Sequence, residues 1–265
     1  MFNTITRQAL IFSTVLLPMT GFADFSAHEQ FKMGLEQARY HYSETSGGQH
    51  VMDASGPLSG VNASYQYTFN PKYAITLDAR GLIGVENYNG HLVNLATGVR
   101  TPYKTGYSTR NKLFETRVLP SIQSDGLFFY TGLGYRMKSD ESMYSNTYSY
   151  PRKSQYLYMP FGIQMPTTYN GIPITPYMEY DLFLHGKQIS KSRNIGTTVH
   201  EQKSGAGFKA GVAIQVDNVD IVPYINYWHI DDSSVDTVPY GPGFINTIEP
   251  NNVTWEVGLK VTYRF

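Results

Sequence analysis

Residues Asn251 to Phe265 read NNVTWEVGLKVTYRF. Val253, Trp255, Val257, Leu259, Val261, Tyr263 and Phe265 share one face of this stretch. Thr254, Glu256, Gly258, Lys260, Thr262 and Arg264 share the other. Strict alternation puts successive side chains on opposite sides of an extended strand. A soluble sheet can use such a strand, but an unbroken run of this length is unusual for one. It suits a tilted strand crossing a bilayer, which needs roughly 9–11 residues. The stretch predicts an all-β chain whose strands meet lipid on one face, a transmembrane antiparallel β-barrel.

Composition fits that reading. Lys+Arg and Asp+Glu both number 21 in the 265 residues, so no bulk charge points to nucleic acid. Cysteine is absent, which excludes disulfides and thiolate metal sites. The 22 tyrosines, 14 phenylalanines and 24 glycines suit strands and the aromatic girdles of a barrel. P-loop, dinucleotide and metalloprotease motifs are missing, and no cofactor is expected. Residues 1–23 read as a secretory signal peptide: Arg7 gives a positive start, Ala9 to Leu17 is mostly apolar, and Gly21-Phe22-Ala23 allows cleavage before Asp24. Residues 24–265 then form one barrel domain.

The rhythm of the last strand recurs along the chain. Lys32–Ser43 sets Ala38, Tyr40 and Tyr42 against Gln37, Arg39 and His41, and its out-of-phase start (Phe31, Met33, Leu35) predicts a bulge near Glu36. Val61–Thr68, Tyr73–Arg80, Phe114–Val118, Leu127–Arg136, Tyr156–Gln164, Met178–His185 and Phe208–Val216 alternate likewise. Val219–Ile230 contains Pro223 and leaves its facing open. With Asn251–Phe265 this makes ten strands; miscounting one hairpin would give eight or twelve. Short turns at Asn70-Pro71-Lys72, Ser124-Asp125-Gly126, Asn170-Gly171 and Asp217-Asn218 alternate with long polar stretches. The long ones include about Glu86–Arg110, Lys138–Lys153, Lys187–Ser204 and Asp231–Pro250. Short periplasmic turns opposite long extracellular loops are the pattern of membrane barrels. Lipid offers no hydrogen-bond partner to an open edge, so the first strand must pair with the last.

A terminal Phe265 behind alternating apolar residues resembles the closing strand of bacterial outer-membrane barrels, where Tyr263 and Phe265 would be read by the insertion machinery. Other landmarks are Tyr40-His41-Tyr42 with Gly56 and Gly60, Gly134-Tyr135-Arg136, Tyr156 to Gly162, and Glu179-Tyr180-Asp181 with Gly186 and Ser190. With these the mature chain resembles an uncharacterised family of small proteobacterial outer-membrane barrels. That resemblance implies a Gram-negative outer-membrane location and contact with lipid and lipopolysaccharide, but no activity. The chain is expected to be a monomer with no nucleic-acid partner.

Opposite the apolar faces stand Asp78, Arg80, Glu115, Arg117, Arg136, Glu179, Asp181, His185, Lys209, Glu256, Lys260 and Arg264. Diameter grows with strand number, so these inward charges meet in a narrow lumen. They are expected to pair as a plug, in a non-enzymatic structural or surface-interaction protein whose loops make the contacts. The alternative is a narrow porin-like channel for small solutes. A third reading is a rim-site hydrolase. The ten-stranded omptin proteases resemble this chain in topology and use acidic pairs with an Asp–His couple, for which His229 with Asp231 and Asp232 is the nearest match. His185 with Ser190 or Ser192 is the counterpart for a lipid hydrolase.

Overall fold

The computed structural model describes residues 28–93, 100–142, 150–192 and 195–265, with backbone alone at 91–93, 100–109 and 142. The signal-peptide segment, residues 1–23, lies outside the described residues. The strands are β1 (Glu29–Ser46), β2 (Gln49–Asn70), β3 (Tyr73–Val93), β4 (Arg100–Ser124), β5 (Leu127–Thr131), β6 (Leu133–Ser142), β7 (Arg152–Gln164) and β8 (Thr167–Tyr169). They continue with β9 (Ile172–Ser192), β10 (Gly196–Gln202), β11 (Gly205–Val216), β12 (Val219–Ile230), β13 (Asp236–Tyr240), β14 (Gly243–Thr247) and β15 (Asn251–Arg264).

Antiparallel pairing closes a ring of ten wall strands, β1, β2, β3, β4, β5 with β6, β7, β9, β11, β12 and β15, with β15 back on β1. β5 and β6 are one wall strand interrupted at Gly132. The register on either side, Thr131↔Phe161 and Gly134↔Tyr158, sets the gap against Pro160 of β7, which has no N–H to offer the ladder. The expected short turns lie together at one end. Asp125, Asn170 and Asp217 take positive φ there, a conformation that short polar side chains tolerate. Asn70 Oδ1 accepts from the N–H groups of Lys72 (2.9 Å) and Tyr73 (3.1 Å).

Two expectations about the first strand are corrected. No bulge occurs near Glu36, because β1 pairs with β15 without a shift from Lys32↔Arg264 to Thr45↔Asn251. Glu36 therefore points inward (3% exposed) and Leu35 outward (66%). Ala38, Tyr40 and Tyr42 also point inward and are buried, while Gln37, Arg39 and His41 face out. What switches at Gln37 is the surroundings of the wall, not its phase. On β1, apolar side chains face out and Glu36 faces in below it; above it polar side chains face out, and Tyr40 and Tyr42 pack inside with Met52, Leu58, Leu82 and Leu113. A second internal cluster joins Tyr156, Tyr158, Phe183, Trp228 and Ile230, with the Tyr158 and Trp228 rings edge to face at 5.0 Å.

Among the described residues, the stretches expected as long loops are mostly strand. β3 continues to Val93 and β4 begins at Arg100, β6 continues to Ser142, and β9 runs to Ser192 and folds back as β10. Asp231–Pro250 contains the β13–β14 hairpin. Pairing satisfies the backbone here as it does in the membrane, and water accepts the polar outward faces. β12, whose facing was open, turns Asp220, Tyr224, Asn226 and Trp228 inward and Pro223 outward.

Candidate functional site

Lipid excludes charge from the outer face of the lower wall, so alternation delivers the charges to the lumen. The strands then set their height. Arg80 on β3 lies level with Glu115 on β4, and Asp78 with Arg117, as directly paired residues. On β9 and β11, Glu179 pairs with Lys209.

These side chains form a belt across the barrel. Arg80 donates to Glu115 (2.7 Å), Glu36 (2.8 Å) and Glu256 (2.9 Å). Arg136 bonds Glu256, reaching from β6 to β15, which stand five places apart in a ring of ten. Lys209 lies between Glu115 (2.8 Å), Glu179 (2.9 Å) and Asp181 (3.3 Å). Arg117 ties Asp78 (2.6 Å) to Glu179 (2.8 Å), and Lys260 comes within 3.9 Å of Glu36. Three tyrosines add hydroxyl donors: Tyr224 donates to Glu36 (2.5 Å), Tyr130 to Glu179 (2.8 Å) and Tyr158 to Glu115. Arg80, Glu115, Arg117, Arg136, Glu179, Lys209 and Glu256 thus each have partners on more than one wall, the condition under which buried ions persist, while Asp78 pairs with Arg117 and Asp181 with Lys209.

Below the belt a polar cavity of about 350 Å³ opens toward the short turns, lined by Asn62, Gln66, Asp78, Arg117, Lys260 and Arg264 among others. Its mouth carries Asp220, held by Lys32 (3.1 Å) and Arg264. Above the belt lie the aromatic clusters. Higher still, Lys138 joins Glu86 (3.2 Å) and Asp140 (2.6 Å) and sits over the Tyr40 ring at 4.6 Å.

The Asp231–Pro250 segment folds over this end. Arg152 ties its Glu249 (2.5 Å) to Glu44, and Glu249 and Ser233 exchange backbone and hydroxyl hydrogen bonds at 2.9 Å. His200 meets Thr247 Oγ1 at 3.0 Å. Burial, the second carboxylate Glu44 adding to it, pushes Glu249 up to about 8 despite Arg152. Burial also holds His200 below its ordinary value.

Of the expected inward charges, Asp78, Arg80, Glu115, Arg117, Arg136, Glu179, Asp181, Lys209, Glu256 and Lys260 meet in the belt, and Arg264 lies at the cavity mouth. His185 does not join them. A bulge sets Leu157↔His185 beside Tyr158↔Phe183, so Leu184 is the extra residue and His185 shares the outward face of Leu157. Ser190 is buried on the inward face, so the wall separates that pair. His229 does meet Asp231 at 3.0 Å, and hydrogen bonds from Ser204 first and then from His229 hold that carboxyl low. The couple stands on the outward face of β12, away from the acidic lumen. Glu36 was missed because of the expected bulge. Continuing the Met33–Leu35 phase would have found it. Among the described residues no group of three or more His, Cys, Asp or Glu could hold a metal ion.

No protein family matches the chain, and no curated protein does. The outer membrane protease OmpT from Escherichia coli superimposes on 90% of this chain and 97% of its own, with a TM-score of 0.56 and 9% identity. The fold is that of a bacterial outer-membrane β-barrel. At that identity the likeness extends to the fold alone. Two other outer-membrane barrels align more loosely. Neisserial surface protein A gives 12% identity over 89% of this chain and 97% of its own, TM-score 0.41. The Pseudomonas putida toluene transporter TodX gives 9% over 91% and 90%, TM-score 0.42.

Proposed function

We propose that the protein is an integral, monomeric outer-membrane barrel with a sealed lumen, acting through its extracellular hairpins as a structural or surface-interaction protein. One observation carries the sealed lumen: the Arg136–Glu256 pair spans the ring between opposite walls, with both side chains buried. Arg80 and Lys209 fill the section beside it, and the aromatic clusters stack above. The hairpins supply the contact surface. They carry the wall beyond the apolar belt with polar outward faces, and Phe244 on the β13–β14 hairpin is 74% exposed. The outward Tyr263 and Phe265 of the closing strand suit recognition during insertion.

A narrow channel is the second reading, favoured by the cavity of about 350 Å³ below the belt. Conductance in a planar bilayer separates the two. The intact protein should be silent, and Arg136→Ala with Glu256→Ala should admit ions. Steady openings of the intact protein, altered by Arg80→Ala, would replace the sealed barrel with a channel.

A further inference from the structure

We propose that the cavity beneath the belt is a blind pocket for a small phosphorylated sugar, entered from the end that carries the short turns. The inference rests on the sealed lumen above, which gives the pocket its closed end.

The charges around the cavity are sorted by depth. The carboxylates of Glu36, Glu179 and Glu256 are at most 1% exposed, and Asp220 is 5% exposed. Lys32, Arg117, Lys260 and Arg264, which line the cavity, keep 17–28% of their side chains exposed. Among the described lining residues, Asp78 at 23% is the one carboxylate open to that degree. The acids thus support the cations from behind, and a solute meets four cations against one carboxylate. A low-dielectric cleft lined by one sign of charge concentrates ions of the other sign.

Lys260 is the least engaged of the four. Among the described residues it makes no hydrogen bond: its nearest carboxylate, Glu36, is 3.9 Å away, and its ammonium lies 5.0 Å from the centre of the Tyr224 ring. One Glu36 oxygen is itself buried without a hydrogen bond, so the two groups do not satisfy each other. An ammonium has three N–H donors to place. Four residues nearer the mouth, Arg264 stands in register with Lys32, and both hold Asp220. Arg264 spends Nε and Nη2 on that carboxylate and keeps Nη1.

The neutral part of the lining suits hydroxyl groups. Asn62, Ser64 and Gln66 alternate along β2 into the cavity, and Thr76 of β3 stands level with Gln66. The volume of about 350 Å³ lies at the small end of ligand pockets. A phosphate brings roughly 1.5–2 negative charges near neutral pH and three acceptor oxygens, which answers this cationic excess better than a single carboxylate does. Its contacts with Lys and Arg are charge-assisted hydrogen bonds. The phosphate seats at Lys260, the sugar lies along β2, and the Lys32–Arg264 pair draws the anion in.

The test is calorimetric titration of the refolded, detergent-solubilised protein with glucose 6-phosphate, gluconate and glucose. The phosphate ester should bind saturably and better than gluconate, and glucose should give no heat of binding. Lys260→Gln should weaken the ester about tenfold, the loss of one charge-assisted hydrogen bond. Lys72→Gln, at a short turn outside the cavity, should change nothing, and heat-modifiable gel migration reports folding of each variant. If Lys260→Gln fails to fold, Lys32→Gln serves, with a loss of several-fold. Equal binding of the ester and glucose would overturn the proposal, as would an unchanged affinity in a folded Lys260→Gln or Lys32→Gln. Gluconate binding as tightly as the ester would overturn the choice of phosphate. A barrel that conducts and still binds would refute the sealed lumen and keep the phosphate site. A silent barrel that does not bind would refute the site and keep the seal.

Discussion

Leu35 and Arg39 stand on the same outward face of β1, two pleats apart, and obey opposite rules. Around Leu35 the solvent is lipid, so the outward face is apolar and Glu36 turns in to the charged belt. Around Arg39 the solvent is water, so the outward face is polar, and Ala38 and Tyr40 turn in to an aromatic core. The same pleat serves both halves. The lower interior resembles the polar network of an active site, and the upper interior the core of a soluble β-sandwich. Which solvent lies outside decides which contents lie inside.

The largest test of that contrast removes one member of the belt. Arg80→Met leaves Glu36, Glu115 and Glu256 short of their common partner, and breaking such a buried set costs about 3–5 kcal/mol. Urea unfolding from lipid vesicles should show that loss, while Arg39→Met changes little; equal effects would put the belt and the rim in the same environment. Next comes the upper core. Leu58→Ala should cost about 2–5 kcal/mol by leaving a cavity. Leu259→Ala, on the lipid face, should cost clearly less because lipid fills the space. A similar loss in both would mean that the upper half is not packed as a core.

The boundary itself can be located. Leu35→Arg places a charge on the lipid side of the boundary and should cost measurably more than Gln37→Arg, one pleat higher, which should fall to about 0–1 kcal/mol. The smallest effect concerns the mouth. Docked Glu249 holds its proton up to about pH 8, whereas its ordinary value is 4.5. The docked segment therefore binds more protons than the undocked one, and docking weakens as pH rises from 6.5 to 8. His200, lowered by burial, contributes in the opposite sense but only below its ordinary 6.5. Amide exchange at Ser233 and Glu249 should quicken across pH 6.5–8 after correction for intrinsic rates, and Glu249→Gln should flatten that slope.

Much of this was legible because lipid is an unforgiving neighbour. β15 could be read residue by residue, and so could the inward charges from Asp78 to Lys260, since no charged position was tolerable on the other face. The errors cluster where lipid ends. Ala38, Tyr40 and Tyr42 look like a lipid face once the apolar residues are assumed to point out, and only the unbroken register with β15 reveals otherwise. The polar runs from Glu86 and Lys187 look like loops because strands in water alternate less visibly. The displacement of His185 by one extra residue in β9 carries no signal in its own composition.

Phe265 N–H donates to Phe31 C=O (3.0 Å), and the two rings lie 5.5 Å apart, so the ring is shut where β15 meets β1. β15 completes a sheet begun at β1, and until the two pair β1 keeps a free edge. Contacts this distant in sequence form slowly. Closing the ring thus rests on one pairing of high sequence separation, β15 with β1. A circular permutant opened at Asn170-Gly171, with β15 linked to β1, would keep the wall pairings and move the closing contact to the other side of the barrel.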